Sequence, residues 1–75
     1  MRLSDIPSNV PARIVSIEKT SLVPVLSGLG ITEGARIVRL FSAPSGDPSA
    51  YWVRGTVTAI RRSETDGITV KEEGR

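Results

Sequence analysis

Between Gly30 and Gly55 the chain reads GITEGARIVRLFSAPSGDPSAYWVRG, and each point where a short strand has to reverse carries a residue with special backbone chemistry. Glycine reaches positive φ without a Cβ penalty, and proline fixes its own φ while withdrawing a ladder donor. Gly30, Gly34, Gly46-Asp47-Pro48 and Gly55 therefore read as corners. The intervals between them are strand-sized. Short segments with corners at this spacing predict an all-β fold, a small closed barrel.

The pattern places five strands, at Ala12 to Ile17, Ala35 to Phe41, Ser49 to Val53, Thr56 to Arg62 and Ile68 to Lys71. The first has apolar residues at both parities, which suits a twisted barrel strand packed in part on both sides. Val53-Arg54-Gly55-Thr56 is a tight link that makes the third and fourth strands a hairpin. In that register Tyr51 and Val53 face inward while Trp52 points outward beside Val57, and Phe41 joins Tyr51 in the core.

One short helix is expected between the first two strands. Ser21 caps it, Leu22, Val25, Leu26 and Leu29 recur at i, i+3, i+4 and i+7 as a core-facing stripe, and Pro24 falls in the first turn. Gly28 and Gly30 end it after about two to three turns, Gly30 as a left-handed cap. The opening Leu3-Ser4-Asp5-Ile6-Pro7 reads as an extended arm, because Pro7 and Pro11 oppose helix, and Ser63 to Asp66 as a single turn before Gly67.

Seventy-five residues are enough for one domain, 1–75, with a thin stability margin. The chain has neither Cys nor His, so disulfides and zinc clusters are not available to staple it. The same absence removes the usual nucleophile and general base, so no enzyme activity and no cofactor are expected. The carboxylates Asp47, Glu64 and Asp66 offer a transition metal at most a loose oxygen site, since stable ferrous sites combine carboxylate with imidazole. Asp47 is read as an Asx-turn acceptor at its corner. Gly28-Leu29-Gly30 closes a helix, whereas a phosphate cradle opens one.

A formal charge of +2 is a mild excess, and three aromatic residues are too few for a stacking platform or a proline-peptide groove, so no nucleic acid is expected. There is no leader-like apolar run at Met1 to Pro7 and no membrane-length apolar stretch, which makes a cytoplasmic protein without membrane insertion the expectation. Two surfaces remain as candidates for protein binding. One is the uncharged helix face of Val23, Pro24, Ser27 and Gly28, where a solvated helix normally carries charge. The other is Trp52 with Val57, rimmed by Arg54, Arg61 and Arg62. Apolar surface of this kind also permits a homodimer.

Taken in order, Leu29-Gly30-Ile31-Thr32-Glu33-Gly34, Ala43-Pro44-x-Gly46-Asp47-Pro48, Val53-Arg54-Gly55 and Ala59-Ile60-Arg61-Arg62-x-Glu64 resemble the ferrous iron transport protein A (FeoA) family. The opening Leu3-Ser4-Asp5-Ile6 and the strand from Ala12 to Ile17 resemble that family's start. The resemblance implies an SH3-like barrel with a helix between its first two strands. It further implies an accessory of ferrous iron uptake, whose partner is the cytoplasmic GTPase-like domain of a membrane Fe(II) transporter. The chain departs from the family's habit in having no charge between Lys19 and Glu33 and in placing Ala50 and Trp52 at outward positions of the third strand. Two alternatives stand beside this reading. One is a regulatory module related to the C-terminal barrel of iron-dependent transcriptional repressors, which would need an attached DNA-binding segment; the other is a small nucleic-acid-binding barrel.

Overall fold

The computed structural model describes residues 1–18 and 23–73, and for residues 23–25 the backbone alone. In chain order there is a 3₁₀ turn at Leu3–Asp5, then β1 at Pro11–Ile17, α1 at Val23–Gly28, β2 at Arg36–Ser42, β3 at Ser49–Val53, β4 at Thr56–Ile60, α2 at Arg62–Thr65 and β5 at Ile68–Glu72. The strands form one sheet in the order β4-β3-β2-β1-β5, with every neighbour antiparallel. This is the strand-and-helix sequence of an SH3-like barrel, as expected, but the sheet is not closed as predicted, since among the described residues its end strands β4 and β5 do not pair with each other. Its interior is filled by residues that include Leu3, Ile14, Ile31, Ile37, Tyr51, Val53 and Ile68.

Two β-bulges decide which side chains reach that interior. In β1 the register shifts between Ile14 and Ser16, so Val15 is an extra residue and stands 51% exposed. The bulge brings Ile14 and Ile17, three apart, to the same side, and it explains the apolar residues at both parities better than double-sided packing. In β2 the shift lies between Arg39 and Phe41. Phe41 consequently pairs with Ala50 on the outer face and is 62% exposed, not buried beside Tyr51 as alternation from Ile37 predicts.

The helix closes on Gly30 at φ 88°. The Ile31 N–H donates to the Leu26 carbonyl at 2.9 Å and the Gly30 N–H to the Ser27 carbonyl at 3.0 Å, the paired bonds of a Schellman stop. Leu26 is buried, but Leu29 is 40% exposed, because the helix has already ended and Ile31 takes the inward position instead. Ser21 and Leu22 lie outside the described residues, as does the side chain of Val25.

Strand β4 stops at Ile60, short of the expected Arg62. Arg61 is the N-cap of α2 in extended conformation, and the Arg62 N–H donates to Asp47 Oδ1 at 2.9 Å. Asp47 thus caps a helix fifteen residues away, whereas a local Asx turn was expected; within its own corner, Ser45 Oγ donates to the Asp47 carbonyl.

The opening arm also differs from expectation, since it turns and packs. Leu3 and Ile6 are fully buried, Ser4 Oγ donates to Asp66 Oδ1 at 2.6 Å, and Arg39 Nη1 donates to the Ile6 carbonyl at 3.0 Å. A turn of 3₁₀ helix between prolines needs no long hydrogen-bond run, so Pro7 and Pro11 do not prevent it. Met1 and Arg2 then line the outer edge of β5. The Met1 ammonium donates to the Val70 carbonyl at 3.0 Å, the Val70 N–H to the Met1 carbonyl at 2.7 Å, and Arg2 bridges Thr69.

Candidate docking surface

Register places the outward side chains of the sheet in rows across the strands. Directly opposed residues of an antiparallel pair share a face, so Pro11, Val38, Trp52 and Val57 form one row across β1, β2, β3 and β4. Phe41, Ala50 and Ala59 form a second row beside it. Both are apolar. Trp52 is 36% exposed and Val57 57%, on the opposite side of β3 from Tyr51 and Val53. Seven outward positions without a charge are unusual on a solvated sheet face, where alternation normally brings polar groups outward.

The hairpin end of this face is cationic. Arg13 pairs with Arg36 in register, and Glu73 reaches both, with N···O distances of 2.6 and 3.0 Å. Arg54 and Gly55 occupy the two-residue loop at φ 51° and 79°, a type I′ geometry that matches strand twist. The Arg54 stem lies against Gly30, where an added Cβ would come within 2.7 Å of Cδ, and its Nε donates to the Gly30 carbonyl at 3.4 Å. Arg54 thereby joins the end of α1 to the rim of the Trp52 face. At the far end Arg61 approaches Asp47 Oδ2 at 3.9 Å with 69% of its side chain exposed.

Of the residues singled out from the sequence, Trp52 and Val57 stand opposite each other and Arg54 borders them. Ser27 and Gly28 are exposed at the end of α1. The side chains of Val23 and Pro24 lie outside the described residues. Gly34 and Gly46 hold φ of 86° and 93°, consistent with corners, and the Asp47–Pro48 peptide is cis. Sequence reasoning missed Phe41, Val38 and Ala59 as members of the apolar face. For Phe41 the omission follows from the β2 bulge, which strict alternation does not anticipate; Val38 precedes the bulge and Ala59 lies on β4, and their places in the rows follow from the cross-strand register.

The acids serve structural bonds. Asp47 caps α2 and Asp66 accepts from Ser4, and among the described residues no group of three or more His, Cys, Asp or Glu side chains is placed to hold a metal ion. Arg39 turns its guanidinium into the barrel end, with Nη2 donating to Ser42 Oγ at 2.9 Å and Ser49 Oγ at 3.1 Å. Burial raises the Tyr51 phenol above its ordinary value, against the opposing pull of Arg39 and of hydrogen bonds with Thr65 and Ser49.

The FeoA domain model matches residues 1–72. The chain belongs to the FeoA family. Solved structures agree with this assignment. Iron(II) transport protein A from Clostridium thermocellum superposes with a TM-score of 0.91 at 34% identity, covering 96% of this chain and 45% of that one. FeoA from Chlorobium tepidum gives 0.91 at 33% identity, over 99% of this chain and 71% of the other. FeoA of Stenotrophomonas maltophilia gives 0.83 at 26% identity, over 95% and 89%. That protein was crystallised with zinc and described as an SH3 domain protein and a candidate bacterial ferrous iron transport activating factor. No curated protein sequence matches the chain. Membership associates this FeoA domain, a small SH3-like fold, with ferrous iron transport. No described helix is long and apolar enough to cross a membrane.

Proposed function

We propose that this FeoA protein is a single-domain, non-enzymatic, cytoplasmic accessory of ferrous iron uptake that docks to the cytoplasmic GTPase-like domain of an Fe(II) membrane transporter. The observation that carries this reading is the uncharged outer face of β2, β3 and β4, with Trp52 near its centre and cations at its rim. Such a face has the anatomy of a protein interface, an aromatic anchor within an apolar patch bordered by charge. Trp52 keeps 36% of its surface exposed on the outer face of a sheet whose interior is already filled, which leaves part of the indole for a partner to cover. The uncharged end of α1 at Ser27 and Gly28 adjoins this face through Arg54 and extends the contact.

The test is binding of the purified chain to the transporter's isolated cytoplasmic domain. Trp52→Ala lowers affinity by at least about tenfold, the loss expected of an interface hot spot, while far-UV circular dichroism at the binding temperature shows the fold retained. Absence of specific binding in the nucleotide-free, GDP and GTP states alike would sink the proposal.

A further inference from the structure

The two edges of the sheet are not equivalent. The outer edge of β5 is covered by Met1 and Arg2, through the hydrogen bonds to Val70 and the bridge to Thr69. Strand β4 ends the sheet on the other side, with β3 as its one neighbour among the described residues. The pair that closes a two-residue hairpin is hydrogen-bonded, so Thr56, Thr58 and Ile60 spend their backbone groups on β3, and Val57 and Ala59 point theirs away from it. Among the described residues, no bond outside the sheet ladders engages the N–H or C=O of Val57 or Ala59. Both residues are exposed.

Soluble proteins ordinarily blunt such an edge with lysine, proline, a bulge or an inward charge. Strand β4, Thr-Val-Thr-Ala-Ile, has none of these, and its pairing with β3 is unbroken by a bulge. Its side chains continue the apolar rows at Val57 and Ala59, so the edge and the Trp52 face form one surface. Charge appears only beyond the two ends, as Arg54 in the hairpin and as Arg61 and Arg62 after Ile60. Among the described residues Arg54 and Arg62 have no carboxylate within ion-pair distance, and the contact of Arg61 with Asp47 is loose at 3.9 Å.

We infer that the free edge of β4 takes up an extended segment of a partner protein as an added antiparallel strand, the segment having two apolar residues separated by a polar one and carboxylates at both ends. The apolar pair lies beside Val57 and Ala59 on the outer face, and the residue between them lies on the side of Thr58. Main-chain bonds to Val57 and Ala59 supply the docking, and the flanking acids meet Arg54 at one end and Arg61 and Arg62 at the other. A second copy of the chain is the poorer occupant. Antiparallel pairing of two β4 strands centred on Thr58 would set Arg54 of each copy against Arg61 and Arg62 of the other. This inference concerns how the edge binds, and it holds whichever protein carries the segment.

The experiment uses the full chain labelled with ¹⁵N and the acetylated, amidated peptide Asp-Glu-Val-Thr-Val-Glu-Asp, with Lys-Lys-Val-Thr-Val-Lys-Lys as its charge-reversed counterpart. The acidic peptide slows hydrogen exchange of the Val57 and Ala59 amides and shifts their resonances, whereas the lysine peptide binds at least about tenfold more weakly. Ala59→Pro removes a donor that the fold does not use, as proline does on an exposed edge, and abolishes binding. Arg54→Glu with Arg61→Glu, which leaves the strand itself intact, exchanges the preference between the two peptides and serves if the proline variant does not fold. Binding that leaves the Val57 and Ala59 amides unprotected would overturn the inference. So would equal affinity for both peptides, no binding at millimolar concentration, or a β4-paired homodimer of the free chain at physiological salt. Because no transporter is present, these outcomes are separate from failure of the transporter-docking proposal.

Discussion

Gly30 meets two demands at once, a left-handed backbone that ends α1 and a close approach by the Arg54 stem. An alanine there incurs about 1–2 kcal/mol of backbone strain and also displaces Arg54, whose Cδ lies 2.7 Å from the added methyl position. Gly28→Ala, two residues earlier, meets nothing within 4 Å and is expected to leave stability unchanged or slightly raised. Urea denaturation of the two variants distinguishes these outcomes directly. Tyr51 makes a second residue-scale prediction. Burial raises its folded pKa above the ordinary 10.0, so the unfolded chain loses the phenolic proton first. The stability tied to the neutral phenol is therefore complete below about pH 10 and is lost as pH rises through the folded value. Urea midpoints measured from about pH 9 to about pH 11 fall along this limb, and Tyr51→Phe removes the phenol's share of the fall.

At the scale of elements, α2 depends on a residue from another loop. Asp47→Ala leaves the first amide of that helix without its acceptor and is expected to lower stability by about 1 kcal/mol, the usual loss of an N-cap, with faster exchange of the Arg62 amide. The corners, the β3–β4 hairpin and the inward side of Tyr51 and Val53 were legible in the sequence because each rests on local chemistry. Gly34, Gly46 and Gly55 need positive φ, and a two-residue loop sets the register that follows it. Phe41 was not legible. Its side follows from a running count along β2, and one extra residue inverts everything after it. Asp47 was misread for a related reason, since its acceptor role is completed by an amide fifteen positions away. The helix stripe was legible at Leu26 and failed at Leu29, where the Schellman stop turns the chain. Of the candidate surface, Trp52 and Val57 were visible as an opposed pair, whereas the breadth of the apolar face emerged only with the cross-strand register and, for Phe41, with the bulge.

For the whole molecule, the opening segment belongs to the core. Deleting residues 1–6 removes Leu3 and Ile6, each worth about 2–5 kcal/mol when buried, from a domain whose net stability is on the order of 5 kcal/mol. It also uncovers the β5 edge. The truncated chain is expected to be unfolded or aggregated, checked by loss of amide chemical-shift dispersion and by sedimentation. One further property follows from the β3 alternation. The chain has a single Tyr and a single Trp, adjacent at positions 51 and 52 and facing opposite sides of the sheet, 1% and 36% exposed. Excitation at the red edge of the absorption band addresses the indole alone, so emission colour registers whatever settles on the outside of the barrel. The phenol's ultraviolet absorbance registers solvent entering the inside. Without any attached label, the protein carries separate optical reporters for being bound and for coming apart.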